Sequence, residues 1–298
     1  MTVRAFKEKA SLPALLLSMT IFGTIGIFRR YIPLPSGLIA LARGLIGTLF
    51  LLLFMLLVRH RPGRAALRRN LWRLLVSGVF LGANWILFLE AQLHTTVAAA
   101  TVCYYMAPVI VMLLAPFVLR ERLTLQKVCC ILVAFLGVIM VSGLFDSGAR
   151  LVAKGNLLAL GAAFLYAAIV LINKKMEGIT ALDRTFAQLG VSVLVLAPYT
   201  LLTEPVFDTV YTPFSVFCLI LIGVLHTGVA YALYFGAVGA LHAQSAALCS
   251  YIDPALAILL SAFVLREEIG LFGAVGALLV LGAAILGEWS PCKKKIGA

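Results

Sequence analysis

Two ionisable side chains lie deep inside apolar stretches that are long enough to cross a bilayer. Asp253 immediately precedes Pro254, and His226 lies near the middle of the preceding stretch. A charged side chain in mid-bilayer costs at least about 2.5–3.5 kcal/mol, so an acid there is expected to face the interior of a helix bundle. Asp253 can bind the ammonium group of a solute or exchange a coupling proton, and His226 can relay protons. The plainer alternatives are a neutral or locally hydrogen-bonded acid and a packing histidine.

Four further charged residues lie nearer to the ends of such stretches. Arg43 is about seven residues from one end, and Glu90 lies near the end of the next stretch. We expect a structural ion pair between them in preference to contact between Arg43 and a substrate carboxylate. Glu121 and Glu267 each follow an arginine where a stretch ends. Their positions predict salt bridges or gate contacts at helix ends.

Aromatic residues gather on a few of the apolar stretches at helical spacing. Trp85 and Phe88 share one helical face, and Tyr231 and Tyr234 share another. A cavity with aromatic walls suits an aromatic or aliphatic side chain, or a quaternary amine held by cation–π contacts. Ordinary helix packing and aromatic belts at the membrane surface are the alternatives. The predicted cavity residues are Asn84, Trp85, Phe88, Thr101, Tyr105, Tyr231, Tyr234 and Tyr251.

A long motif relates some of these residues to each other. The 22 residues from 100 to 121 recur without a gap from 246 to 267, and eleven aligned positions are identical. The repeat pairs Pro108 with Pro254, and it places Asp253 opposite an alanine. A proline within a helix removes a backbone donor and frees a carbonyl. We therefore expect Pro108 and Pro254 to be hinges or to border a cavity, with a simple packing kink as the alternative.

The composition places these residues in a membrane protein. Of the 298 residues, 63% are hydrophobic and 12% are charged, and no soluble domain of this length buries so much apolar surface. Runs of about 20 apolar residues match a bilayer core, where helices satisfy their own backbone groups. The sequence therefore predicts ten transmembrane helices, at residues 11–29, 36–58, 71–92, 96–118, 124–143, 154–173, 185–203, 213–237, 243–264 and 270–288.

The odd number of helices in each repeat sets the relation between the two halves. With five helices each, repeat 1 (residues 11–143) and repeat 2 (residues 154–288) enter the membrane from opposite sides, as an inverted-topology repeat. The predicted fold is an all-α membrane protein with a single membrane domain, residues 1–298. Two halves of nearly equal packing energy can exchange conformations and expose a central site to each side in turn.

The net charge of +12 orients the chain, and we do not expect nucleic acid as a partner. With the N-terminus in the cytoplasm, eighteen of the 24 lysines and arginines fall on the cytoplasmic side and five on the outer side. The positive-inside rule then predicts a multi-pass protein of the inner or plasma membrane with both termini in the cytoplasm. Arg29 and Arg30, on the outer side, are the main exceptions.

The repeated motif and the span count resemble the EamA family of the drug/metabolite transporter superfamily. The matching features are Pro108 with residues 119–121, Pro254 with residues 265–267, and the Ala-Leu-x-Arg pattern that ends at Arg43. The resemblance covers essentially the whole chain. It implies ten helices, an inverted repeat and transport of small metabolites. Within that family, the sequence most resembles the bacterial branch that exports aromatic and other amino acids.

We therefore expect a secondary transporter that exports aromatic or neutral amino acids by alternating access, and not an enzyme. A transporter of amines or quaternary ammonium compounds such as choline is one alternative; an intramembrane enzyme or a channel is another. We expect a small solute and the lipid bilayer as partners, with a possible coupling proton. We expect no cofactor and no metal, since the sequence shows no nucleotide-binding loop and its four histidines are scattered. The oligomeric state stays open, with a monomer favoured.

Overall fold

The computed structural model describes residues 3–120, 124–141, 149–238 and 251–288, and every regular element in these ranges is a helix. The elements are α1 (Val3–Gly23), α2 (Ile25–Tyr31), α3 (Ser36–Leu57), α4 (Arg64–Arg69), α5 (Leu71–His94), α6 (Val97–Tyr104), α7 (Ala107–Leu119), α8 (Leu125–Val141), α9 (Ala149–Lys174), α10 (Ala181–Thr203), α11 (Pro213–Leu221), a π-helix (Ile222–Val229), α12 (Ala230–Val238), α13 (Ile252–Phe263) and α14 (Leu271–Glu288).

Seven stretches of helix in the described ranges are long and apolar enough to cross a membrane. They are Ser11–Tyr31, Ser36–Leu57, Leu71–His94, Val97–Leu119, Ala153–Lys174, Ala181–Thr203 and Pro213–Tyr234. The other three predicted spans coincide with shorter apolar helices, at Val128–Met140, Ile252–Phe263 and Leu271–Ala283. The chain is therefore an all-helical, multi-pass membrane protein. The first residues of the predicted ninth span, 243–250, lie outside the described residues.

Both prolines of the repeated motif lie in the first turn of a helix. Pro108 follows the first residue of α7, and Pro254 is the third residue of α13. This is where proline fits best, because the first N–H groups of a helix have no partner within it. Before Pro108, a short turn at Tyr105 and Met106 interrupts the helix between α6 and α7.

The two copies of the motif also end alike. Arg120 ends α7 with a φ of 57°, and Arg266 follows α13 with a φ of 53°. This left-handed conformation commonly terminates helices, although glycine adopts it at lower cost. The shared arginine–glutamate ending therefore has one backbone conformation in both copies at the arginine.

Close contacts between α3 and the π-helix depend on glycines. A Cβ atom on Gly47 would lie 2.2 Å from Cγ2 of Thr227, and one on Gly228 would lie 2.6 Å from the Phe50 ring. Any larger side chain at these positions would therefore push the two elements apart. A π-helix inserts an extra residue per turn and is frequent at functional sites, and here it presents His226 and Thr227, both buried.

The helices form a bundle with two main apolar clusters. α5 packs against α9 and α10, α3 against α10 and the π-helix, and α1 against α12 and α13. α8 pairs with α14, and α6 contacts α13. One cluster includes Cys103, Met106 and Val280, and the other includes Ile39 and Leu189. The candidate site lies where α6 and α13 meet.

Candidate functional site

The two copies of the repeated motif meet at Asp253. The Tyr105 hydroxyl, at the turn between α6 and α7, donates a hydrogen bond of 2.9 Å to Oδ2 of Asp253, in the first turn of α13. The rings of Tyr105 and Tyr251, which are equivalent in the repeat, have centroids 6.4 Å apart. The structure thus places a carboxylate beside two tyrosines inside the membrane-spanning bundle, at the break in the helix.

Three more aromatic rings extend this cluster away from Asp253. The Tyr104 centroid lies 4.5 Å from that of Phe88, 5.7 Å from that of Tyr166 and 6.1 Å from that of Tyr105. These distances are those of tilted and edge-to-face aromatic packing. We call Phe88, Tyr104, Tyr105, Tyr166 and Tyr251 the aromatic cluster; it combines apolar ring faces with hydroxyl groups.

Arg43 occupies a second polar position, on α3. Its guanidinium carbon lies 4.3 Å from the ring centre of Trp85, a cation–π geometry. Its Nε donates a hydrogen bond of 3.3 Å to Oγ1 of Thr227 in the π-helix. Arg43 is only 6% exposed. The predicted site residue Trp85 is therefore the platform on which a buried cation lies.

The predicted ion pair between Arg43 and Glu90 is absent, which corrects the sequence-based expectation. Oε2 of Glu90 instead accepts a hydrogen bond of 2.7 Å from Ser36, and Oε1 lies 3.2 Å from Nε2 of His94. Arg29 donates 3.1 Å to the same Ser36 hydroxyl. Partners at the helix end thus hold Glu90, while Trp85 holds Arg43 about two helical turns deeper.

His226 makes a hydrogen bond to Thr24, in the turn between α1 and α2. Its Nε2 lies 2.9 Å from Oγ1 of Thr24, and that hydroxyl donates to the Ile21 carbonyl at 2.7 Å. The ring also packs edge-to-face on Phe28, with centroids 5.3 Å apart. These contacts tie the π-helix to the first span; proton relay by His226 remains a prediction.

The remaining predicted cavity residues divide among different places. Asn84 is buried and donates 2.6 Å to the Ala162 carbonyl of α9. Tyr231 packs on Phe22 with ring centroids 5.4 Å apart, and Tyr234 lies beside an apolar cluster of α1 and α12. Thr101 is buried in α6. The structure therefore brings Phe88, Tyr105, Tyr251 and Asp253 together through the aromatic cluster, whereas Tyr234 packs beside α1 and α12.

Glu267 connects three elements at one end of the bundle. Its carboxylate lies 2.6 Å from Nη2 of Arg30, accepts 2.8 Å from the Val97 N–H and accepts from the Ser261 hydroxyl. Arg30 also donates 3.1 Å to the Thr95 carbonyl. We call this region, with residues 29–36, 90–97, 204 and 261–267, the Glu267 end. The contacts agree with the predicted helix-end role of Glu267, whereas Glu121 lies outside the described residues.

A second carboxylate contributes contacts at the Glu267 end, and the sequence analysis did not predict its role. Glu204, after α10, accepts 2.8 Å from each of the N–H groups of Gly37 and Leu38. A carboxylate stabilises the exposed donors and the dipole at the start of a helix. An acid directly after a predicted span was the available signal. It ties the start of α3 to the end of α10.

The opposite end has its own buried carboxylate. Asp183 Oδ1 lies 2.8 Å from Nε2 of His60, and Oδ2 accepts 3.3 Å from the Gly63 N–H. Thr180 caps α10 through the N–H of the same Asp183. Nearby, Arg69 and Glu177 form an exposed ion pair of 2.7 Å. We call this region, residues 60–70 and 177–183, the Asp183 end; the Thr-x-x-Asp spacing was its only sequence signal.

Tyr104 and Tyr166 are the site residues that sequence reasoning missed. Tyr104 is adjacent to Tyr105, but its counterpart in the second copy of the motif is a serine. Identity between the two copies therefore indicated Tyr105 and not Tyr104. Tyr166 lies on α9, in a stretch that matches its counterpart in the first half poorly, and the fold brings its ring to Tyr104.

Comparison with protein families gives two matches along the chain. Residues 10–143 and residues 153–287 each match the EamA-like transporter family. A solved crystal structure covers 94% of this chain and 97% of its own, with a TM-score of 0.65 and 18% sequence identity, and so shares the fold.

Several curated bacterial proteins are similar in sequence. The uncharacterised transporter YxxF of Bacillus subtilis is 28% identical over 290 residues, which are 96% of this chain and 91% of that protein. RarD of Escherichia coli is 26% identical over 205 residues, or 68% of this chain and 66% of RarD. The pseudopaline exporter CntI of Pseudomonas aeruginosa is 30% identical over 166 residues, covering 55% and 56% of the two chains.

Proposed function

The chain belongs to the EamA-like transporter family, in the drug/metabolite transporter superfamily, and we propose that it exports aromatic or neutral amino acids by alternating access. A secondary transporter of this kind holds its substrate near the middle of the membrane, between two halves that move against each other. The meeting point of the repeated motifs, around Asp253, is the candidate for that site.

The Tyr105–Asp253 hydrogen bond inside the aromatic cluster is the observation on which the proposal depends. A buried carboxylate needs a donor, and the Tyr105 hydroxyl provides one at 2.9 Å. The ammonium group of an amino acid can take the place of that donor and adds a favourable charge. Phe88, Tyr104 and Tyr251 offer ring faces to an aromatic or aliphatic side chain. The carboxylate of Asp253 thus suits the ammonium group of an amino acid, and the rings suit its side chain.

The helix contacts support an inverted repeat of ten spans. In that arrangement the third span corresponds to the eighth and the second to the seventh, so a 3–7 contact requires a matching 8–2 contact. α5 packs against α10, and the π-helix packs against α3. The 3–6 contact of α5 with α9 is likewise matched by the 8–1 contact of α12 with α1. The α6–α13 and α8–α14 contacts each join a span to its own counterpart.

The proposed orientation makes the Glu267 end the outer end. Arg29 and Arg30, the exceptions to the charge distribution, are both engaged there: Arg29 by Ser36, and Arg30 by Glu267. Their charges are therefore part of the folded bundle. Export requires that the contacts of Glu267 break while those of Asp183 hold. Pro108 and Pro254, in the first turns of α7 and α13, are the proposed hinges.

A transport assay of Asp253→Asn tests the proposal. Purified protein in proteoliposomes is supplied with radiolabelled phenylalanine or leucine at several pH values. We expect at least about a tenfold loss of uptake, since a charge-assisted bond contributes roughly 1.5–3 kcal/mol. Asp208→Asn is the matched control, because Asp208 is exposed in the loop after α10. Wild-type uptake by Asp253→Asn at every pH would refute the role of this carboxylate.

Transport of amines or quaternary ammonium compounds is the second candidate. An acid surrounded by aromatic rings is also what a cation without a carboxylate requires. Choline uptake that exceeds uptake of every amino acid would favour this candidate. Steady conduction under voltage clamp would indicate a channel, and turnover of a lipid or peptide would indicate an enzyme.

A further inference from the structure

Arg43 is a buried cation whose hydrogen-bonding capacity is mostly unused. A guanidinium group has five N–H donors, and Nε uses one of them on Thr227. In the described part of the chain, neither terminal nitrogen has a hydrogen-bond partner and no carboxylate forms an ion pair with the residue. Neither nitrogen is among the fully enclosed, unpartnered atoms, so both border accessible space. A cation with free donors beside such a space is suited to bind an anion.

Arg29 is a buried arginine whose hydrogen-bond donors are used within the bundle, and it serves as a comparison for Arg43. Its three nitrogens donate to the Leu89 carbonyl at 3.4 Å, the Ile32 carbonyl at 2.9 Å and the Ser36 hydroxyl at 3.1 Å. Arg29 is buried at 2% exposure and Arg43 at 6%. Similar burial with such different partners distinguishes the two residues. Packing alone does not explain why Arg43 keeps its donors free.

Close packing holds the Arg43 side chain in position in place of a counter-charge. Trp85 lies under the guanidinium, and a Cβ atom on Gly44 would approach the Trp85 ring to 3.3 Å. On the other side, Thr227 is pressed against Gly47. A binding group that its neighbours hold in place loses little conformational freedom when it binds. The position is thus prepared before any ligand arrives.

Arg43 and Asp253 are connected through the aromatic cluster. Trp85, under the guanidinium of Arg43, lies three residues before Phe88 of the cluster on α5. Phe88 packs on Tyr104, which in turn packs on Tyr105, the residue that donates to Asp253. The repeat offers no counterpart for either charge: Leu189 lies 146 residues after Arg43, and Ala107 lies 146 residues before Asp253. This is the charge pattern expected for a solute with one ammonium and one carboxylate group.

We infer that Arg43 binds a carboxylate of the transported solute through its two terminal nitrogens, with the Thr227 hydroxyl as a further donor. The planar guanidinium matches the two oxygens of a carboxylate. The substrates are then carboxylates with an amino group, and amines without a carboxylate are poor substrates. This inference rests on the proposed transport function and assigns Arg43 to the substrate, where the sequence favoured a structural pair.

Three related solutes test this assignment: phenylalanine, phenethylamine, which lacks the carboxylate, and 3-phenylpropionate, which lacks the ammonium group. Uptake of each is measured in proteoliposomes for wild type, Arg43→Gln and Arg69→Gln. We expect wild type to prefer phenylalanine over phenethylamine, and Arg43→Gln to reduce this preference at least about tenfold. The preference should be unchanged in Arg69→Gln, because Arg69 is an exposed arginine at the Asp183 end.

The preference ratio within one variant does not depend on how much protein is active. Thr227→Val, which removes one hydroxyl at nearly constant volume, serves if Arg43→Gln fails to fold, and should lower the ratio by a smaller factor. If folded Arg43→Gln keeps the wild-type ratio of phenylalanine uptake to phenethylamine uptake, the inference is overturned and the transport proposal still stands. The same holds for Thr227→Val where that variant is used in its place. A wild-type protein that transports phenethylamine best overturns the inference and favours the amine transporter over the amino-acid exporter. Failure to transport any of the three overturns both.

Discussion

Removing the charge of Glu267 should weaken the contacts between helices at the Glu267 end. Glu267→Gln keeps the size of the side chain but loses the ion pair with Arg30 and weakens the bonds from Val97 and Ser261. These contacts join α2, α6 and the segment after α13. Side-chain exposures of 33% for Arg30 and 11% for Glu267 indicate that solvent screens this pair only in part. We therefore expect a loss of about 1.5–3 kcal/mol, the value of hydrogen bonds to a charged group.

A second pair provides the matched control. Arg69 and Glu177 are 2.7 Å apart, nearly the same as the 2.6 Å of Arg30 and Glu267, but their exposures are 67% and 70%. Exposed pairs contribute about 0.2–1 kcal/mol. Glu177→Gln should therefore have little effect. The comparison separates the effect of burial and extra bonds from the effect of charge alone.

Labelling of a single cysteine measures the opening. Val97 is buried beside Glu267, and Val97→Cys in a protein without native cysteines reports on access to this end. The labelling rate of detergent-purified protein follows the population of the open state. The expected energy corresponds to labelling roughly 10–100 times faster in Glu267→Gln. Equal labelling in both glutamine variants would refute the reasoning.

Two other predictions each compare two substitutions of the same kind, first Gly→Ala and then Pro→Ala. Gly47→Ala should lower the melting temperature through overpacking against Thr227, a cost of about 1–3 kcal/mol, whereas Gly190→Ala meets no atom within 4 Å and should be neutral or stabilising; equal melting temperatures would contradict this. Pro108→Ala should slow phenylalanine transport because it removes the proposed hinge between α6 and α7, while Pro116→Ala, within α7, should not. Equal initial rates for the two proline variants would exclude a hinge at Pro108.

Hydropathy and the internal repeat were sufficient for much of the fold. Runs of apolar residues depend on the bilayer rather than on tertiary contacts, so seven of the ten predicted spans coincide with helices long enough to cross a membrane, and the other three coincide with shorter apolar helices. The repeat offset predicted that Tyr105 and Tyr251 are equivalent, and the structure brings their rings within 6.4 Å. By contrast, the sequence did not predict the π-helix, which packs closely on α3 at Gly47 and Gly228.

The polar contacts of the site were harder to predict. Arg43 and Glu90 have opposite charges and lie on neighbouring spans, and this favoured an ion pair between them. The sequence spacing does not show that Glu90 instead contacts Ser36 and His94. Trp85 was identified as a cavity residue, and its contact with a cation was not foreseen. Partner choice between helices depends on their rotation and depth, which one sequence does not specify.

The contact between Arg30 and Glu267 has a consequence for biosynthesis. The two residues are 237 positions apart, and a ribosome that adds about 5–20 residues per second needs roughly 10–50 s to reach the second after the first. During that interval the newly inserted first helices hold Arg30 without its carboxylate partner. In the proposed orientation, the arginines between Arg59 and Arg73 then keep the first half in place. The last helices, once inserted, neutralise a charge that the nascent chain carried from the start.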